Sequence, residues 1–279
     1  MTSGVAPADV DPGLDEVDEQ RFNGDFPWDE FDTTAYLDHN YTHVREDDRE
    51  ILEIIAAHFA RECGGERAGT LRGIDLGTGA NLYPTLAMLP FCELVTLYEF
   101  SASNVSWLRE ERRGNWPSWR TAWQGFWQVL SRMPAYDRAT EPDMGAKLAR
   151  HTTVEQGSVF DLQPTDDQHF DLGTMFFVAE SITKEREEFR SAMRHFLGAL
   201  RPGAPFAIAL MEHSIGYQVG DNHFPATDID DSAVGQFLRE QKSTGVKIKR
   251  VGTGSDPVRE GYTGMIIVCG RTRGAHDWG

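Results

Sequence analysis

In the stretch GIDLGTGANLYPTLAML, residues 73–89, an aspartate and two glycines alternate as Asp75, Gly77 and Gly79. They lie between an apolar run that reads as a strand and one that reads as a helix. Glycines at that point let the main chain pass close under a bulky ligand. A dinucleotide fingerprint requires a third glycine where this chain has Leu82, because that position packs closely against the sheet beside the pyrophosphate. A phosphate-binding P-loop requires Gly-Lys-Ser/Thr, which is missing here. The remaining pattern calls for no phosphate, and a carboxylate at the strand end suits the loop and the ammonium end of a zwitterion. Glu99, 24 residues after Asp75, ends the next strand-like run and is placed to accept hydrogen bonds from both ribose hydroxyls. An adenosine that carries an amino acid instead of a phosphate meets both conditions, and S-adenosylmethionine is such a molecule.

The elements that must position these residues follow from periodicity. DTTAYLDHNYTHVREDDREILEIIAAHFAREC, with Thr33 or Thr34 as N-cap and apolar residues at helical spacing from Ile51 to Phe59, predicts about 30 helical residues ahead of the first strand. LRGIDLG, NLYPTLAML, CELVTLYEF and NVSWLREERR then read strand, helix, strand, helix, the signature of a doubly wound α/β sheet. Residues 115–150 interrupt the alternation with Trp116, Trp119, Trp123 and Trp127; on a helix the last three form one stripe, which docks an inserted helix on the domain. TTVEQGSVF, FDLGTMFFVAES, KEREEFRSAMRHFLGALRPG and PFAIALMEHS resume it, with LRPG as a helix stop. A last helix, DSAVGQFLREQKSTG, leads to VKIKRVG and YTGMIIVCGRT, two strands of a loose hairpin.

Composition narrows the function classes. The 27 basic and 44 acidic residues give a formal charge of −17, which repels nucleic acid and anionic membranes. The basic run REERRGNWPSWR is interrupted by Glu110 and Glu111. No apolar stretch approaches the roughly 18 residues a membrane span needs. Residues 1–25 are acidic, lack a periodic apolar face and read as a mobile tail without a secretory signal; we expect a cytoplasmic monomer. Cys63, Cys92 and Cys269 are widely spaced, which fits a reducing compartment and neither a disulfide framework nor a zinc knuckle. His39 and His43 have the spacing of a metal pair but no third ligand nearby, so no metal is expected. Asp166-Asp167 and Asp230-Asp231 read as turn and helix-cap residues, and not as the strand-end acids of a magnesium site.

Together these segments resemble the class I S-adenosylmethionine-dependent methyltransferases, and within them the nicotinamide, phenylethanolamine and indolethylamine N-methyltransferases. AYLDHNY is similar to the tyrosine-rich helix that this branch lays over its cofactor. IDLGTGANLYPTLAM resembles its glycine loop, and VTLYEFSASNVSWL its strand and turn running acid, aromatic, Ser, then Asn. The tryptophan-bearing insertion and GYQVGDNHF also have counterparts, so the resemblance runs from about residue 26 to the end.

The resemblance implies an α/β fold with a mostly parallel seven-stranded sheet. It also implies a helical lid over residues 26–66 and a catalytic domain over 67–279. Tyr36 and Tyr41 would close over S-adenosylmethionine, Gly77 and Tyr83 would contact its methionine part, and Glu99, Phe100 and Asn104 would surround the ribose. Ser158 and Val159 would flank the adenine; the family's usual Asp is replaced by Ser158, which leaves the adenine amino group to a weaker contact or to Asp161. Glu99 stands where the family has Asp, a change of one methylene.

The small-molecule acceptor would lie after PFAIALMEHS, with Glu212 and His213 as acid/base candidates and Tyr217 as a wall. The family's substrate carboxylate falls on Glu212 or is replaced by Leu210, and Glu180 either faces the site or serves a helix N-terminus. The activity implied is N-methylation, which needs alignment and water exclusion more than a base. The alternatives are an O-methyltransferase, for which His213 or Glu212 must act as base, and a cofactor-binding module without turnover.

Overall fold

The computed structural model describes residues 21–137, 144–162, 169–252 and 261–274. The predicted tail up to residue 20 and the pair Asp166-Asp167 lie outside the described residues. In chain order the elements are α1 (Thr33–Tyr41), α2 (Glu46–Cys63), β1 (Leu71–Leu76), α3 (Tyr83–Met88), β2 (Cys92–Glu99) and α4 (Ala102–Arg113). Next come α5 (Trp123–Leu130), α6 (Pro134–Asp137), α7 (Met144–His151), β3 (Thr152–Gln156), β4 (Leu172–Phe176) and α8 (Arg186–Gly198). The last six are β5 (Pro205–Glu212), β6 (Tyr217–Val219), β7 (Asn222–Phe224), α9 (Asp231–Glu240), β8 (Thr244–Gly252) and β9 (Gly264–Arg271). A seven-stranded sheet has the order β3-β2-β1-β4-β5-β9-β8, and a separate hairpin pairs β6 with β7. In the seven-stranded sheet β9 runs antiparallel to both β5 and β8 and the other pairings are parallel, and β6 and β7 pair antiparallel.

The sheet is covered on both faces, as parallel strands require, and its central strands are therefore apolar at nearly every position. Side-chain alternation sorts them. Ala207, Ala209 and Met211 of β5 join the core under α2, α3 and α5, whereas Phe206, Ile208 and Leu210 join the core under α8 and α9. The edge strand β8 is polar outward, with Lys247, Lys249 and Arg250, which discourages pairing with a further strand. Cys63, Cys92 and Cys269 are buried free thiols; burial pushes Cys63 and Cys269 up to about 12. Among the described residues no helix is long and apolar enough to cross a membrane.

Four features differ from the sequence reading. Asp32, not Thr33 or Thr34, caps α1 by accepting the Ala35 N–H at 2.9 Å. The predicted 30-residue helix breaks at residues 42–45, and α2 is a layer helix: Ile51, Leu52, Ile55 and Phe59 are fully buried against the sheet side of the core. Only α1 and the short turns before it lie over the cleft described below, so the predicted lid is shorter than residues 26–66. The ordered body also begins before residue 26. The Arg21 carbonyl accepts the Lys184 N–H at 2.9 Å, and the Asn23 N–H donates to Glu188 Oε2 at 2.8 Å. Finally, Trp119 sits in a 3-10 turn ahead of α5, so the tryptophan stripe is split.

Trp123 and Trp127 do dock the insertion. Both are buried in the main core, and the Trp123 ring lies 5.6 Å from Phe126 and 5.5 Å from Tyr41. Replacing Trp123 with Ala should destabilise the protein by about 3–5 kcal/mol. Urea unfolding monitored by circular dichroism measures this, and a loss below about 1 kcal/mol would mean that the insertion does not share the main core.

Candidate functional site

A cleft lies at the carboxyl ends of β1, β2 and β4. Ligands of open α/β sheets bind at this edge. Its floor is the turn after β1. Gly77 and Gly79 have φ of +67° and +49°, and a Cβ on Gly77 would stand 2.4 Å from Val178 Cγ2, so only glycine fits there. Asp75 does not line the cleft. It is 2 % exposed and accepts Thr85 Oγ1 at 2.6 Å and Thr174 Oγ1 at 2.7 Å, which anchors the turn from beneath. Burial pushes its carboxyl up to about 7 against those two bonds.

Glu99 ends β2 at the centre of the cleft. Its Oε2 accepts the Gly79 N–H at 2.8 Å, and its Oε1 accepts the Phe100 and Ser101 N–H groups, each at 2.9 Å. Burial nonetheless raises its carboxyl above the ordinary value. Asn104 hydrogen-bonds the same carboxylate and accepts the Thr33 hydroxyl at 2.6 Å, which ties α1 to the site. The cleft continues on one side past Tyr98, Phe100, Ser158 and Val159, an aromatic and aliphatic slot suited to a flat base. A Cβ on Gly157 would stand 2.0 Å from Tyr98 Oη, so this slot is also built on glycine. Asp161, a candidate for the adenine amino group, is exposed and away from the cleft.

On the other side Tyr36, Tyr41 and Asn81 line the cleft, with Tyr83 fully buried behind them. Asn81 Nδ2 and Tyr83 Oη are buried without hydrogen-bond partners. Donors left open at this end, an ionised acceptor in the middle and a flat slot beyond fit the amino-acid, ribose and adenine parts of S-adenosylmethionine.

Sequence reasoning missed the roof. Trp28 stacks on Phe224 at 4.8 Å, Phe31 meets the same ring at 5.2 Å, and both line the cleft or seal it. Ser101 Oγ donates to the Trp28 carbonyl at 2.6 Å and Ser103 Oγ to the Phe31 carbonyl at 2.9 Å. Those aromatics lie in FPWDEFD, at the start of the predicted lid, where no periodic spacing marks a buried face. Phe176, Phe177 and Ile182 were likewise passed over as core of β4 and its loop.

The three acceptor candidates separate. Tyr217 lines the cleft, stacked on Phe224 at 5.5 Å. Glu212 does not: it turns across the sheet, where Arg250 pairs with it and Thr263 Oγ1 donates to it at 2.7 Å. His213 faces solvent with φ +56°, its Nδ1 2.7 Å from Asp228 Oδ1, and that carboxylate raises its pKa. Glu180 is buried and clamps β5, its Oε1 accepting the Met211 N–H at 3.0 Å. Asp230 caps α9 through the Ala233 N–H.

Replacing Glu99 with Ala removes the acceptor shared by three N–H groups and the ribose contact. Affinity for S-adenosylhomocysteine should fall by about 10- to 100-fold, read by isothermal titration beside a thermal melt. Unchanged affinity in a folded variant would remove Glu99 from the cofactor site.

The NNMT/PNMT/TEMT family model matches residues 22–271. A search of curated proteins finds no match. Among solved structures the chain is similar to the N-methyltransferase NodS from Bradyrhizobium japonicum in complex with S-adenosylhomocysteine. The TM-score is 0.48 and the identity 14%, over 82% of this chain and 88% of that one. It is also similar to the 1,6-didemethyltoxoflavin-N1-methyltransferase of Burkholderia thailandensis, with TM-score 0.47 and 14% identity over 81% and 80% of the two chains. With nearly the whole described fold inside the family match, the chain belongs to the NNMT/PNMT/TEMT family and is an S-adenosylmethionine-dependent small-molecule methyltransferase.

Proposed function

We propose that the protein methylates the nitrogen of a neutral amine or nitrogen heterocycle. One observation carries the reading: among the described residues, the acceptor end of the cleft offers aromatic rings, hydroxyls and an amide, and neither Glu212 nor His213 reaches it. An alcohol or phenol needs a base at its proton, whereas an amine or ring nitrogen already presents a lone pair. Bound S-adenosylmethionine supplies an electrophilic methyl group on a sulfonium sulfur. What remains for the chain is to hold the acceptor in line and keep water out.

Tyr36, Phe176, Phe177 and Tyr217 would hold a flat acceptor between their rings. Phe177 has φ +58°, a rare conformation for a bulky residue, and its N–H donates to the Ala209 carbonyl at 2.7 Å, which holds the turn after β4 in place. α1, tied down through Thr33 and Asn104, excludes solvent. Tyr36 and Tyr217 also border a second, open depression lined by His39, Asn40 and His223 between α1 and the β6–β7 hairpin. That depression supports an entry route for the acceptor. The charge of −17 draws cationic amines toward the protein, and each must shed its proton before attack.

Two results would test this. The rate for a weakly basic heterocycle should be flat with pH, and that for an alkylamine should rise with pH up to the amine's own pKa, because no protein base is titrated. His213→Ala should retain turnover within about threefold; a loss of about 100-fold or more, the contribution of a general base, would turn the assignment toward O-methylation.

A further inference from the structure

The roof and the β6–β7 hairpin form a body of their own. Phe26, Trp28 and Phe31 cluster with Val219 and Phe224, and Tyr36, Ile182 and Tyr217 pack at the margin. This cluster is distinct from the two cores on the faces of the sheet, and the hairpin pairs with no strand of that sheet. Asn222 Nδ2 donates to the Glu30 carbonyl at 3.3 Å, so a polar bond also joins the two pieces. Trp28 and Phe31 from the roof and Tyr217 from the hairpin all line the cleft. A small satellite cluster contributes little stability by itself, and what holds this body down is its fastening to the rest of the domain.

That fastening is polar. At the start of α8, Glu188 Oε2 accepts the Asn23 N–H at 2.8 Å, and Arg21 pairs with Glu185 at 2.6 Å. At the start of α4 a run of successive residues takes part. Ser101 Oγ donates to the Trp28 carbonyl, the Ala102 N–H donates to Asp29 Oδ1 at 2.8 Å, Ser103 Oγ donates to the Phe31 carbonyl, and Asn104 Oδ1 accepts the Thr33 hydroxyl. The same turn holds Glu99, through the Phe100 and Ser101 N–H groups. One turn therefore grips both the acid in the cleft and the roof above it. Asp29 and Ser103 do not line the cleft themselves.

We propose that Asp29 and Ser103 are positioning residues for methyl transfer: by fastening Trp28 and Phe31 to the turn that holds Glu99, they make closure of the roof and binding of the cofactor's ribose favour each other. The inference rests on the ribose lying at Glu99. A ligand that orders the Glu99 turn also presents Ser101, Ala102 and Ser103 in the arrangement the roof requires. A roof held there completes the wall over the ligand. Coupling of this kind is reciprocal, so what the ligand gains from the closed roof the roof gains from the ligand. Neither Asp29 nor Ser103 touches a reacting atom. Their contribution is to keep the roof shut and water away from the sulfonium methyl group.

The test compares wild type with Asp29→Ala, Ser103→Ala and Ser103→Thr, and with Glu99→Ala alone and combined with Ser103→Ala. S-adenosylhomocysteine is the ligand. Its affinity is read by isothermal titration, and its effect on the roof by hydrogen exchange of residues 22–36 followed by mass spectrometry. In wild type the ligand should slow exchange there by about tenfold. Asp29→Ala and Ser103→Ala should each weaken binding by about three- to tenfold and lose most of that slowing, whereas Ser103→Thr, which keeps the hydroxyl, should restore both. On the Glu99→Ala background the further loss from Ser103→Ala should fall below about twofold, because the coupling it reports is already gone. Wild-type affinity and slowing in both alanine variants, with or without a lower melting temperature, would make the two residues structural fastenings only and overturn the proposal. Losses that simply add in the double variant would overturn it as well. An unchanged affinity in Glu99→Ala would instead remove the ribose placement on which the proposal rests.

Discussion

The carboxylate of Glu99 is the point from which the rest of this site hangs. A buried charge must be met by donors, and here three backbone N–H groups from two turns meet it, with Asn104 beside them. One of those turns is the glycine turn after β1 and the other opens α4. Because Asn104 also accepts the Thr33 hydroxyl, the same cluster holds α1 over the cleft. Floor, wall and roof therefore share one electrostatic requirement, and each is positioned by the strand ends that the parallel sheet brings side by side.

The two ends of the cleft are stabilised differently. At Glu99 the hydrogen bonds are already made before any ligand arrives, as preorganised binding demands. Around Asn81 they are not: Asn81 Nδ2, which faces the cleft, and Tyr83 Oη behind it are buried and unmatched. A protein tolerates that cost where a bound molecule offsets it. Aromatic packing holds the Tyr83 ring in place, stacked on Phe126 at 5.4 Å and edge-on to Phe176 at 5.7 Å.

The acceptor end is where the chain departs most from the sequence expectation. Glu212 and His213 follow β5 and look like acid and base when read in order along the chain. In the fold the first is consumed by Arg250 and Thr263 across the sheet, and the second turns outward onto Asp228. Aromatic rings take their place, from β4, from the β6–β7 hairpin and from α1. On the reading proposed above, such a site leaves the choice of nucleophile to the acceptor itself, and shape and water exclusion become the means of selection.

The glycine turn, Glu99, the alternation of strands and helices and the terminal hairpin were legible in the sequence because each is local. A positive φ demands glycine, a strand ending in an acid is a short motif, and apolar periodicity reports which face is buried. The sequence by itself thus determined the sheet and the meeting of the glycine turn with Glu99 at its edge. Only the tertiary structure decided what Trp28, Asp75 and Glu212 do. Asp75 lies in the motif yet anchors it from beneath, because Thr85 and Thr174 arrive from other elements. Trp28 seals the cleft because Phe224 comes to it from 196 residues away. Whether a carboxyl is a base, a salt-bridge partner or an anchor for a turn depends on which groups surround it once water is gone, and those groups come from distant parts of the chain.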